Sequence, residues 1–305
     1  MVMTCMHSLS TGVELECRTS GEAGQPLLLF LHGFPEGAFI WDGLLEQFGS
    51  RYRCVAPNLR GYGRSSQPTA ISDYRAKYLV EDLAALIALE SPAKRAACVI
   101  AHDWGGAVAW GLANRYPQQL ERLLILNSPH PGSFLRELQS NPVQQSASQY
   151  MHFLRRPDAP ELLAENGWQR MLGFFQNPDG STPAWLTPER QQQYREHWDL
   201  GVHGACMFYA ASPLVPPRPG GSADELQDIR ELSLPDEMLH IPVPVRILWG
   251  DSDLALQPAL LHGLEQWVPQ LGIEHLQGCS HWVVHERPEA VQRALTEFLQ
   301  TPGSS

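Results

Sequence analysis

The stretch Ala101-His102-Asp103-Trp104-Gly105-Gly106 closes an apolar run and opens a helical pattern that Pro117 ends. Small residues stand two positions either side of Asp103, which is the spacing of a nucleophile elbow, a turn too tight for bulky neighbours. Such a turn presents its central side chain at the C-terminal edge of a sheet, above a helix N-terminus. The plainer role for Asp103 is an N-cap for the helix that begins at Trp104. The surrounding sequence decides between the two.

Working outward, short apolar runs alternate with helical patterns, which predicts a largely parallel sheet covered by helices on both faces. Strands are expected at 13–18, 26–31, 53–57, 96–101 and 120–126, with helices near 38–48, 74–90 and 104–116. From 131 to 240 the pattern changes to charged and glutamine-rich helical stretches with scattered aromatics and no strand-like run. We read this as an inserted helical cap, 131–240, between the two parts of a core, 1–130 and 241–305. Its last part, 212–235, carries PLVPPRPGG and SLP and predicts an irregular linker. The sheet pattern resumes at 243–249 and 273–277, with helices near 258–268 and 288–299.

A chain of 305 residues with 43% hydrophobic content can bury a full core of this kind. The net charge of −11 opposes binding to nucleic-acid phosphates or anionic membranes, and the only local basic feature, Arg155-Arg156, is too short to override it. No basic leader with an apolar stretch opens the sequence and no apolar run is long enough to span a bilayer, so a cytoplasmic protein without a membrane partner is expected. The six cysteines form no C-x-x-C pair and read as reduced core thiols. His281 and His285 lack both the helical spacing and the third ligand of a metal site, so no metal is expected.

Three further segments bear on Asp103. The run PLLLFLHG leads into His32-Gly33-Phe34-Pro35, where a loop after a strand can supply a backbone N–H to a developing oxyanion. Phe34 and Trp104 are the expected backbone donors. Downstream, VRILWGDSDLAL ends a strand in an acid-bearing loop, and GCSHWVVHERP supplies His281 in the next strand-to-helix loop. Nucleophile, acid, histidine is the chain order that this type of sheet requires.

With HGFPE at 32–36, Trp41, RGYGRSS at 60–66, HDWGG at 102–106, the WGDSD loop and the SHW segment all in order, the chain resembles the epoxide hydrolases of the α/β-hydrolase superfamily. Haloalkane and fluoroacetate dehalogenases are near relatives of that family. The resemblance covers nearly the whole chain. It implies the α/β-hydrolase fold, a mostly parallel eight-stranded sheet with an inserted helical cap, and no metal or organic cofactor. It also implies Asp103 as nucleophile, His281 as base and Asp253 as the acid that orients it. The family's acid closes a Gly-x-x-Asp segment before an apolar residue, as Gly250 to Asp253 before Leu254 does, and Asp251 is the alternative. In some dehalogenases the acid follows the sixth strand instead; that place is Asn127 here, which carries no charge. The family's two cap tyrosines match Tyr150 in QYMHFLRRP and Tyr209 in MFYAASP. An arginine often follows the second; here the residue is Ala210.

An aspartate nucleophile changes the reaction. A carboxylate is already ionised at neutral pH and can displace a leaving group from an sp³ carbon, so epoxides and alkyl halides are its natural substrates. The resulting ester leaves His281 free to activate water, and the oxyanion hole serves this second step. An opening epoxide makes an alkoxide that needs a proton, which the tyrosines would give. A fluoroacetate dehalogenase would need arginines where Trp104 and Ala107 stand, and a halide-binding His-Trp pair where Tyr150-Met151 stands. A haloalkane dehalogenase is the alternative, with the Trp104 indole N–H for a halide but no second donor at Phe34. A carboxylesterase lacks its Ser or Cys at 103, and a non-catalytic ligand-binding member of the fold remains the third possibility. The expected partners are a small apolar epoxide and water, contacted by His32, Met151, Phe153, Phe208 and Trp282, with His102 supporting the loop. Oligomeric state has no signal in the sequence.

Overall fold

The computed structural model describes residues 1–221 and 223–301. Its centre is a set of strands too apolar to face water on either side. β3 (Leu27–Leu31) reads LLLFL and a later strand, β6 (Leu123–Leu126), reads LLIL, every residue buried. Such runs require helices on both faces of the sheet. The strands join in one eight-stranded sheet in the order β1-β2-β4-β3-β5-β6-β7-β8. β1 (Met3–Ser8) and β2 (Glu14–Ser20) are antiparallel at one edge; β4 (Arg53–Pro57), β5 (Ala96–His102), β7 (Val245–Gly250) and β8 (Leu271–Leu276) run parallel with β3 and β6.

Helices α1 (Asp42–Phe48), α2 (Ala76–Glu90) and α3 (Asp103–Arg115) connect the first strands. Between β6 and β7 the described residues contain no strand. They hold α4 (Pro131–Ser140), α5 (Pro142–Ala147), α6 (Tyr150–Leu154), α7 (Ala159–Gly173), α8 (Pro188–Trp198), α9 (His203–Ala211) and α10 (Ala223–Glu231). α7 is broken at Glu165–Trp168, where Asn166, Gly167 and Trp168 take positive φ. α11 (Val283–Glu286) and α12 (Pro288–Gln300) close the chain beside β7 and β8. Among the described residues no helix is long and apolar enough to cross a membrane.

Three expectations change. β1 was not foreseen, because an antiparallel edge strand with no fully buried residue carries no apolar run. The helix expected over 258–268 is two short 3₁₀ turns, Pro258–Leu261 and Leu264–Gln266, separated at Gly263 with φ +69°. The expected linker 212–235 contains α10, which lies between the PLVPPRPGG and SLP motifs and seats Ile229 beside Leu135 and Leu138.

Candidate active site

β5 carries the chain straight to Asp103, which has φ +49°, a left-handed conformation that a non-glycine residue adopts only under constraint. Three glycines make room for it. A Cβ on Gly33 would lie 2.3 Å from Asp103 Cβ, one on Gly105 2.5 Å from the His32 carbonyl oxygen, and one on Gly106 2.3 Å from Ser128 Cβ. Ser128, just after β6, donates its hydroxyl to the Asp103 carbonyl at 2.6 Å. The Asp103 carboxylate is not spent on capping its own helix: Oδ1 accepts the Phe34 backbone N–H at 2.7 Å. The N–H of Trp104 belongs to the first turn of α3, whose amides have no carbonyl partner within the helix.

His281, in the loop after β8, sets Nε2 3.6 Å from Asp103 Oδ2 and Nδ1 2.6 Å from Asp253 Oδ2. Asp253 is buried and well partnered: Asn127 donates to Oδ2 at 2.8 Å, and the amides of Ala255 and Leu256 donate to Oδ1 at 2.8 and 2.9 Å. Burial would push its carboxyl up, but the His281 charge and these hydrogen bonds outweigh it and hold the pKa down. For His281, burial disfavours the charged ring, yet Asp253, then Asp103 and Glu36, raise its pKa to about 9. Asp251 faces away and binds His275 at 2.8 Å. Of the two acids considered, only Asp253 reaches His281.

Tyr150, on α6, and Tyr209, on α9, face Asp103 from the helical segment, their ring centroids 6.0 Å apart. Burial, reinforced by Asp103, pushes both phenols above their ordinary pKa, so both stay protonated across the neutral range. The Tyr209 ring packs edge-on against both Trp104 and Tyr150, at ring distances of 5.1 and 6.0 Å. Asp103, Tyr150 and Tyr209 line two adjoining cavities. One, of about 270 Å³, is walled by Phe34, Phe174, Phe175, Leu254, His281 and Trp282. The other, of about 90 Å³, is walled by Trp104, Phe134, Met151, Leu214 and Leu256.

Trp282 and Met151 thus stand where a substrate contact was expected, and three other residues do not. His32 is fully buried, its Nε2 accepting the Leu59 N–H at 3.1 Å and its Nδ1 3.0 Å from the Gly33 carbonyl, so it braces the loop. Phe208 is buried behind Trp104, at a ring distance of 5.6 Å. Phe153 lines neither cavity and lies under the Arg170 guanidinium. Phe153 and Phe208 were expected from aromatic character and His32 from its place in the HGFP loop, and neither signal fixes the direction of the side chain.

Two polar groups of the site were given no role from the sequence. Asn127 brackets Gly250 with two hydrogen bonds while it holds Asp253; its signal was a polar residue ending an all-apolar strand. Glu36, fully buried, binds His285 at 2.6 Å and the Tyr194 hydroxyl at 2.7 Å, and lies 3.2 Å from His102 Nδ1. Burial opposes its ionisation, but His285 and His102 hold its pKa well below the usual range. His102 in turn contacts the His281 carbonyl at 2.9 Å, so the loop it braces is the one that carries His281.

The α/β hydrolase fold family model matches residues 26–288. The chain is 32% identical over 301 residues to an AB hydrolase superfamily protein of Bacillus subtilis, covering 97% of this chain and 98% of that one. It is 30% identical over 294 residues to epoxide hydrolase 3 of Xenopus tropicalis, covering 95% of this chain and 76% of that one. Among solved structures, the Bacillus megaterium epoxide hydrolase in complex with an inhibitor superposes with a TM-score of 0.86 at 29% identity, over 97% of this chain and 100% of that chain. With the eight-stranded sheet, the Asp103 turn and these relatives together, the chain belongs to the epoxide hydrolase family of the α/β-hydrolase superfamily.

Proposed function

We propose that this protein hydrolyses an epoxide to a vicinal diol through a covalent ester on Asp103. The observation that carries this reading is the pair of protonated phenols, Tyr150 and Tyr209, lining the same two cavities as the Asp103 carboxylate. Asp103 Oδ2 attacks one ring carbon, and the carbon–oxygen bond breaks as a tyrosine O–H gives its proton to the leaving oxygen. The product of this half is a hydroxyalkyl ester on Asp103 and one tyrosinate.

Water then attacks the carboxyl carbon of the ester. His281, oriented by Asp253, takes the water proton, and the oxyanion forms on Asp103 at the Phe34 and Trp104 amides. Collapse releases the diol, with one oxygen from the epoxide and one from Asp103, as the second proton of the water passes to the departing alkoxide, and a proton passed from His281 to the tyrosinate restores the tyrosine. The helical segment 131–240 acts as the cap, since it brings the proton donors while the core brings nucleophile and base.

The haloalkane alternative needs two halide donors, and beside the Trp104 indole N–H the Phe34 side chain on the cavity wall offers none. Purified protein offered small epoxides, bromoalkanes and nitrophenyl esters, with Asp103→Ala as blank, tests the reading. Diol formation that the variant loses supports it. Halide release without diol would replace it with dehalogenation.

A further inference from the structure

Two phenols that serve one oxygen must hold a fixed spacing, yet they ride on separate short helices. α6, with five residues, is little more than one turn and cannot fix Tyr150 by its own hydrogen bonds. Arg155 ends that helix. Its Nη1 donates to the carbonyl of Tyr209 itself and, at 2.7 Å, to the carbonyl of Ser212, the residue that caps α9. One side chain leaving the segment of the first phenol therefore grips the backbone of the second.

Among the described residues these two carbonyls are the hydrogen-bond partners of the guanidinium. It is half-buried, and among the described residues no carboxylate forms an ion pair with it, whereas the adjacent Arg156 is exposed and paired with Asp158 at 2.6 Å. Its charge rests on the C-terminal carbonyls of α9, where a cation complements the helix dipole. The Tyr209 ring packs edge-on against Phe34 and Trp104, at ring distances of 5.3 and 5.1 Å, while Arg155 holds the backbone of the same residue. Movement at the Arg155 end would thus swing the phenol relative to Tyr150.

We propose that Arg155 is a positioning residue that sets the Tyr150–Tyr209 spacing for epoxide opening and has no part in ester hydrolysis. This rests on the epoxide reading given above. The test is single-turnover kinetics, resolving ester formation from ester decay with an aryl epoxide. The proteins compared are wild type, Arg155→Met, Arg155→Lys, Tyr209→Phe and the double variant Arg155→Met/Tyr209→Phe.

Arg155→Met should slow ester formation about tenfold, as expected for a displaced reacting group, and leave decay within about twofold. Arg155→Lys, which can still reach the carbonyls with a cation, should recover part of the loss. In the Tyr209→Phe background, Arg155→Met should cost less than about twofold further, because two residues that act through one group are not additive. Equal slowing of both steps, full additivity in the double variant, or no change in either step would overturn the inference. Should Arg155→Met fail to fold, Arg155→Gln carries the same comparison. A wild-type protein that forms no ester with any epoxide would overturn the underlying reading, and the inference with it.

Discussion

His281 bridges two carboxylates, 2.6 Å from Asp253 and 3.6 Å from Asp103, and its raised pKa of about 9 makes it a cation in the resting site. A cation is the wrong form for a base. In the proposed reaction the first half corrects this: the ester removes the negative charge of Asp103, one of the causes that raise His281, so its pKa falls and the ring passes its proton to the tyrosinate before it acts as the base. Ester decay should therefore rise with pH through an apparent pKa below about 9, measured in single turnovers across pH. His281→Gln should form the ester and slow its decay by roughly 10²–10⁴-fold, the range for losing a general base, so that mass spectrometry finds the adduct on the Asp103 peptide. Tyr209→Phe should do the reverse, slowing formation by roughly 10²-fold while leaving decay intact.

At the level of elements, the turn between β5 and α3 works only because its neighbours are small. Gly106→Ala drives a methyl to within 2.3 Å of Ser128 Cβ and endangers the hydroxyl that holds the Asp103 carbonyl. It should lower the melting temperature by the equivalent of roughly 1–3 kcal/mol, the usual cost of overpacking, and calorimetry reads this directly. The same turn was the most legible feature of the sequence, since Ala101, Gly105 and Gly106 around one acid leave few alternatives. Strands buried on both faces, such as LLLFL, were legible for a similar reason: composition alone specifies their surroundings. Local signal was weak where elements are held by distant contacts, as for β1 at the sheet edge and the polar α10. Side-chain direction was also beyond it. Nothing in the sequence separates Trp282, which lines a cavity, from Phe208, which stands behind Trp104.

At the scale of the whole molecule, the buried histidines give stability a definite pH dependence. Burial, the largest cause in each case, lowers His32 and His130 to about 4 and His197 to about 3. The unfolded chain takes up these protons near the ordinary value of 6.5, so stability is lost as pH falls from there towards about 4. His281 has the opposite sign: its folded pKa lies above 6.5, so its contribution is complete below that value and lost as pH rises to about 9. Chemical denaturation should find a maximum near pH 6.5, and Asp253→Asn should flatten the alkaline side only. In the proposed reaction core and helical segment divide the chemistry, the one providing Asp103, His281 and Asp253 and the other Tyr150 and Tyr209, so that the covalent ester is the species on which both depend. A single turnover in ¹⁸O-labelled water, with enzyme in excess over epoxide, examines that ester most directly. The ester route requires an unlabelled diol and label in the Asp103 carboxylate; labelled diol in the first turnover would mean that water attacks the epoxide itself and that Asp103 never bonds to carbon.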